Sequence, residues 1–138
     1  MIPKFRAWDK TCKKMIYSGF AVRADGDIEG IDYTNTYAAK NFIVMQSTGL
    51  IDKNGAEIYE GDIVEYFHLV EQKTLKGEVV YDSSSACWGI KMRNDSTVLP
   101  DPAWYAWFCD DVERDENGEL YVRVIGNIYE NPELLEGE

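Results

Sequence analysis

One histidine, three cysteines and four prolines in 138 residues leave little material for the common site chemistries. Structural zinc draws on four Cys or His ligands, usually in two close pairs. Cys12, Cys87, Cys109 and His68 are the whole complement here, and they are scattered. No metal or cofactor site is expected. An odd set of cysteines without a C-x-x-C pair fits reduced intracellular thiols better than a disulfide framework. A Ser-His-Asp triad would have to use His68, yet no G-x-S-x-G elbow is present. Gly-rich phosphate loops and dinucleotide fingerprints are missing as well. No catalytic residue is assigned, and the chain reads as a non-enzyme.

Cations are the scarcer charge. Fourteen Lys+Arg against 25 Asp+Glu leave a net charge of −11 at pH 7. A sequence-general nucleic-acid binder needs cations to displace counterions from phosphate, so nucleic acid is not the expected partner. The charge is uneven. Residues 1–14 hold five cations and one acid, whereas residues 110–138 hold ten acids and two arginines. These are either two solvated faces or opposed ends that attract, within a chain or between copies. No apolar run approaches the ~20 residues of a membrane span. Lys4 and Arg6 stand where a signal peptide would need an apolar core, and a cytoplasmic location is expected. The length suits one domain over 1–138, with 1–45 as a candidate N-terminal subdomain and 46–138 as a β core.

What the chain does have is β pattern. Asp25-Gly26, Asn54-Gly55 and Asn117-Gly118 supply the positive φ angles of tight hairpins between strand-like runs. Around the first of them, residues 15–22 are expected to pair with residues 28–33. Phe42-Ile43-Val44-Met45 suits a buried strand. Ile63–Phe67 and Gly77–Tyr81 read as neighbours, Trp88–Met92 alternates with period two, and Leu120–Ile125 is the strongest late strand. Gly126-Asn127 inside a strand pattern suggests a bulge or a close backbone approach. Asn131-Pro132-Glu133-Leu134-Leu135 has the cap, proline and first-turn acid of one short helical turn. The expected fold is mainly β, a small barrel or sandwich of short antiparallel strands with that turn near its end.

Four blocks carry a family likeness. Phe5-Arg6-Ala7-Trp8-Asp9, the run from Gln46 to Gly55, Ile58-Tyr59-Glu60-Gly61-Asp62-Ile63-Val64, and the run from Val124 to Leu135 resemble the YopX family. They follow family order and span nearly the whole chain. The resemblance implies a mainly β protein encoded by a phage or prophage of a bacterial host. It supplies no catalytic residues. Within it, Gly61-Asp62 reads as a tight turn that launches a strand, in the manner of the early strands of SH3-like barrels.

Two patterns invite a site reading and fail. Glu113-x-Asp115-x-Asn117-Gly118 opens like a calcium loop, but its twelfth position is Val124 where a bidentate Glu is required, so an acidic hairpin explains it better. The adjacent pair Asp110-Asp111 is expected by chance among 25 acids. Trp104, Tyr105, Trp107 and Phe108 are the more informative group. Core packing is the default for them, and the functional alternative is an aromatic anchor for a partner protein or a second copy. The reading that results is a non-enzymatic accessory protein that binds another protein or forms a homo-oligomer. The alternatives are a nucleic-acid-related regulator or acidic DNA mimic, and an enzyme acting through carboxylates and His68.

Overall fold

The computed structural model describes residues 4–24, 28–30, 42–68, 73–84, 86–93, 103–108, 112, 114–116, 118 and 120–135. The β-branched and aromatic runs become strands: β1 (Phe5–Asp9), β2 (Lys14–Ile16), β3 (Phe20–Val22), β4 (Ile28–Gly30), β5 (Phe42–Ile51), β6 (Glu57–Tyr59), β7 (Asp62–His68), β8 (Lys73–Asp82), β9 (Cys87–Arg93), β10 (Ala103–Trp107) and β11 (Val122–Asn127). Among the described residues the single helical element is a 3-10 turn, Pro132–Leu135, begun by Asn131 and Pro132 as the capping pattern predicts. Among the described residues no helix is long and apolar enough to cross a membrane.

All described pairing is antiparallel. Four strands form one sheet in the order β2-β1-β5-β6, five form a curled second sheet in the order β10-β9-β8-β7-β11, and β3 pairs with β4 as a separate ribbon. A division at residue 45 would cut β5 in its middle, so residues on both sides of it share one sheet. The first expected hairpin is corrected in part. Phe20–Val22 do pair with Ile28–Gly30, but Met15 and Ile16 pair with β1 instead. The chain turns at Gly19, with φ +85°, and splits the apolar run in two. The Asp25-Gly26 turn lies outside the described residues.

Period-two alternation decides which side chains meet. Val64 and Tyr66 of β7 point into the core, where Tyr66 lies opposite Leu75 and Val122, and Val64 lies opposite Val124 and Gly77. Val79 opposite Ile90 extends the cluster, and Phe108, Val112 and Leu120 complete it. Ile58 of β6 is fully buried in the same cluster, so the two sheets share one core. Each such side chain contributes about 1.5–3 kcal/mol by leaving water.

The sheets are also joined at an edge. Asp52 Oδ1 accepts the N–H groups of Asn54 and Ala56, both at 2.8 Å, and shapes the loop between β5 and β6. Its Oδ2 accepts the Val124 N–H at 2.9 Å, while the Lys53 N–H donates to the Val122 carbonyl at 2.9 Å. The β5–β6 loop thus occupies hydrogen-bonding groups on the outer edge of β11, which would otherwise invite another strand. The expected irregularity near Gly126 is present. Pairing of β11 with β7 slips between Val124 and Gly126, and a side chain at Gly126 would come within 2.6 Å of Asn131 Oδ1.

Gly61 makes the turn from β6 into β7 with φ +87°, and a Cβ there would lie 3.1 Å from Met45 Sδ. Gly61→Val is expected to destabilise the fold by more than about 2 kcal/mol, since a β-branched residue is strained in the left-handed region and also meets Met45. Gly118 has φ +80° with open space around it, so Gly118→Ala, carrying backbone strain alone, is expected to lose only about 1 kcal/mol. Urea unfolding of both variants measures the difference.

Candidate functional site

Three of the four sequence blocks meet at one point. Arg6 and Trp8, two residues apart on β1, project to the same face. The guanidinium of Arg6 reaches the start of β7, where Nη2 lies 2.9 Å from Asp62 Oδ1 and donates to the Glu60 carbonyl at 3.1 Å. Asp62 Oδ2 accepts the Tyr59 N–H at 2.7 Å, closing the turn around Gly61. The Arg6 guanidinium carbon sits 4.7 Å from the centre of the Tyr59 ring. Trp8 stacks on Tyr129 at 5.6 Å, and the Ile128 N–H donates to the Gly61 carbonyl at 2.9 Å. The segment that carries Tyr129 is itself held by Asn127, whose Oδ1 accepts the N–H groups of Tyr129 and Glu130. The remaining block contributes Asp52, which braces β11 as described above.

Arg6 and Asp62 are each 2% exposed. Burial pushes the Asp62 carboxyl above its ordinary range, against the opposing pull of Arg6 and of the Tyr59 N–H. Burial likewise raises the Tyr59 and Tyr129 hydroxyls and the Glu78 carboxyl, which Glu60 pushes in the same direction and its cross-strand neighbour Lys91 opposes. Glu57 is held below the usual carboxylate range by the Ser47 hydroxyl, and by Lys4 at 3.2 Å, although burial works against them. These groups are close together, yet the best-buried acids already have partners. Both oxygens of Asp62 and both oxygens of Asp52 accept bonds from the chain itself. Asp9 Oδ1 accepts the Thr11 and Cys12 N–H groups and sets the β1–β2 turn. The arrangement clamps segments distant in sequence. Among the described residues no group of three or more His, Cys, Asp or Glu is placed to hold a metal ion.

The aromatic group separates. Trp104, Tyr105 and Trp107 belong to β10, in register with Met92, Lys91 and Gly89 of β9. Trp107 is half-buried, and the side chains of Trp104 and Tyr105 lie outside the described residues. Phe108 is 4% exposed and packs in the core with Val112 and Leu120, so it is not available as an anchor for a partner. The backbone of His68 pairs with Lys73 at the end of β7, and its side chain lies outside the described residues, as do Cys109 and Asp110-Asp111. Of the calcium-like stretch, the described residues show an antiparallel bridge between Arg114 and Leu120, with the Gly118 N–H donating to the Asp115 carbonyl. Residue-by-residue reading misses Arg6, Asp52 and Asn127 as structural groups. Their only signal is that each stands inside a family block.

Removing one partner of a buried ion pair leaves an uncompensated charge. Arg6→Met is therefore expected to destabilise by about 3–5 kcal/mol near neutral pH, and adding Asp62→Asn should recover part of that loss. In Arg6→Met the Asp62 carboxyl loses its nearest counter-charge, and its folded-state pKa climbs further above the ordinary 3.8. The folded variant then holds a proton that the unfolded chain releases. Its deficit relative to wild type should grow as pH rises from about 4 through that folded value. Urea titrations between pH 4 and 8 read this out.

Comparison with known proteins places the arrangement in context. The sequence profile of the YopX protein family matches residues 4–136. The crystal structure of protein EF1440 from Enterococcus faecalis is similar over 99% of this chain and 99% of its own, with 31% identity and a TM-score of 0.57. That of protein yopX from Bacillus subtilis is similar over 96% of this chain and 98% of its own, with 20% identity and a TM-score of 0.55, a likeness of fold. A search of curated proteins returned no match. With the family profile running through every block that meets at Arg6 and Asp62, the chain belongs to the YopX family.

Proposed function

We propose that the chain is a phage- or prophage-encoded accessory protein that works without catalysis in the cytoplasm of a bacterial host, as a protein-binding or self-assembling module. The observation that supports this reading is the use made of its buried acids. Both oxygens of Asp52 and of Asp62, and Oδ1 of Asp9, are directed at backbone N–H groups or at Arg6, which builds a rigid scaffold and commits these carboxylates to structure. Aromatic side chains remain outside that scaffold. Tyr17 is 57% exposed and meets Tyr59 edge-on, and Tyr81 is 47% exposed and meets Trp88 edge-on at 5.0 Å. Rigid aromatics of this kind are favoured anchors in protein contacts.

Light scattering coupled to size exclusion, at tens of micromolar, is expected to give a mass that is a multiple of the 15.8 kDa chain. Trp107→Ala should lower that mass if the half-buried end of β10 takes part in the contact. A single-chain mass, together with no protein retained from host lysate, would overturn the proposal. A retained nucleic acid would favour the regulator reading instead.

A further inference from the structure

Asparagine is a thermolabile residue, and most so before glycine. Its side-chain carbonyl carbon lies one ring closure from the next backbone nitrogen, and glycine brings no side chain to keep the two apart. Of the described asparagines, Asn127 is 6% exposed and precedes the β-branched Ile128. Asn131 precedes Pro132, which has no N–H to give up. Asn54 is exposed and precedes Gly55, where φ is +86° and the position of a Cβ faces open space. The closed loop nevertheless withholds the attacking nitrogen. The Gly55 N–H donates to the Asp52 carbonyl at 3.1 Å, a longer bond than the 2.7–2.8 Å bonds that tie Asn54 and Ala56 to Asp52.

We propose that Asn54 is a self-modification site gated by the loop that Asp52 holds. When the loop opens, the Gly55 nitrogen attacks the Asn54 side-chain carbonyl carbon. A C–N bond forms, the attacking nitrogen gives its proton to solvent, and the side-chain nitrogen leaves as ammonia. Water then opens the cyclic imide at either carbonyl, which leaves aspartate or isoaspartate at position 54. Solvent water is the only co-reactant. Either product puts a new carboxylate two residues from Asp52, which is 3% exposed. Isoaspartate also adds a carbon to the main chain inside the span that the bonds between Asp52 and Ala56 close. Both changes loosen the loop that occupies the Val124 N–H and the Val122 carbonyl. The edge of β11 is thereby freed for another strand.

The test incubates the full chain and a synthetic peptide of residues 50–58 at neutral pH, and follows the exchange of NH for O by peptide mass spectrometry. Wild type should convert at position 54 more slowly than the peptide, by the factor that amide hydrogen exchange gives for protection of the Gly55 N–H. Asp52→Ala removes three hydrogen bonds from the loop and should convert about tenfold faster than wild type. Asn54→Gln, whose longer side chain closes the ring poorly, should keep its mass. If Asp52→Ala fails to fold, the comparison with hydrogen exchange in the wild type decides. A wild type that stays unmodified after the time its Gly55 protection allows would overturn the site. Conversion as fast as in the peptide, or no faster in a folded Asp52→Ala, would overturn the gating. The converted chain, separated by anion exchange, should melt below the unmodified one, and an equal melting temperature would overturn the loosening of the loop.

Discussion

A buried arginine holds this molecule's two sheets in register with each other. Arg6 comes from an inner strand of the four-stranded sheet, Asp62 from the first residue of an inner strand in the five-stranded sheet, and both are withdrawn from water. Taking two ions out of water carries a desolvation penalty of several kcal/mol each, which only close geometry and additional hydrogen bonds offset. The extra bonds are the Glu60 carbonyl for Arg6 and the Tyr59 N–H for Asp62, and the Tyr59 ring covers the guanidinium. The turn must be tight for all of these to form at once, and that is why a glycine stands at position 61. A hydrophobic pair of the same volume would fill the space, but it would not fix where β1 lies relative to the β6–β7 turn.

The same economy recurs with Asp52 and Asn127. Each is a short polar side chain, nearly buried, bonding to backbone groups of a loop that packs against β11 or continues from it. A small β protein has many turns and few helices to absorb their unpaired N–H groups, so side-chain carbonyl and carboxylate oxygens do that work. This accounts for a chain rich in acids whose buried carboxylates serve structure. The acids free to act on the outside are those on the surface, where they set the long-range field.

Much of the fold was legible in advance. The strand-like runs Ile63–Phe67 and Gly77–Tyr81 and the alternation of Trp88–Met92 located three successive strands, and Gly126 and Asn131-Pro132 marked the bulge and the closing turn. Other features were not legible. β5 continues through Gln46, Ser47, Thr48 and Gly49 to Ile51, a stretch too polar to read as strand, because Ser47 and Thr48 are buried by pairing with β6 and by the bond from Thr48 Oγ1 to the Ile58 carbonyl. Met15 and Ile16 look continuous with the following apolar residues until Gly19 turns the chain. Phe108 reads equally well as core or anchor, since a five-residue aromatic run has no period long enough to show its inner face. The Arg6–Asp62 junction joins residues more than fifty positions apart, and no local pattern reports such a pairing.

The stacking of Trp8 on Tyr129 has a consequence for how the protein is made. The two rings are 121 residues apart, and the Arg6–Asp62 and Asp52–Val124 contacts span most of the remaining distance. Contacts of such high sequence separation form late and slow folding. At ~5–20 residues per second of synthesis, Trp8 is made roughly 6–24 s before Tyr129. During that interval the Trp8 ring lacks the partner that stacks on it in the finished fold.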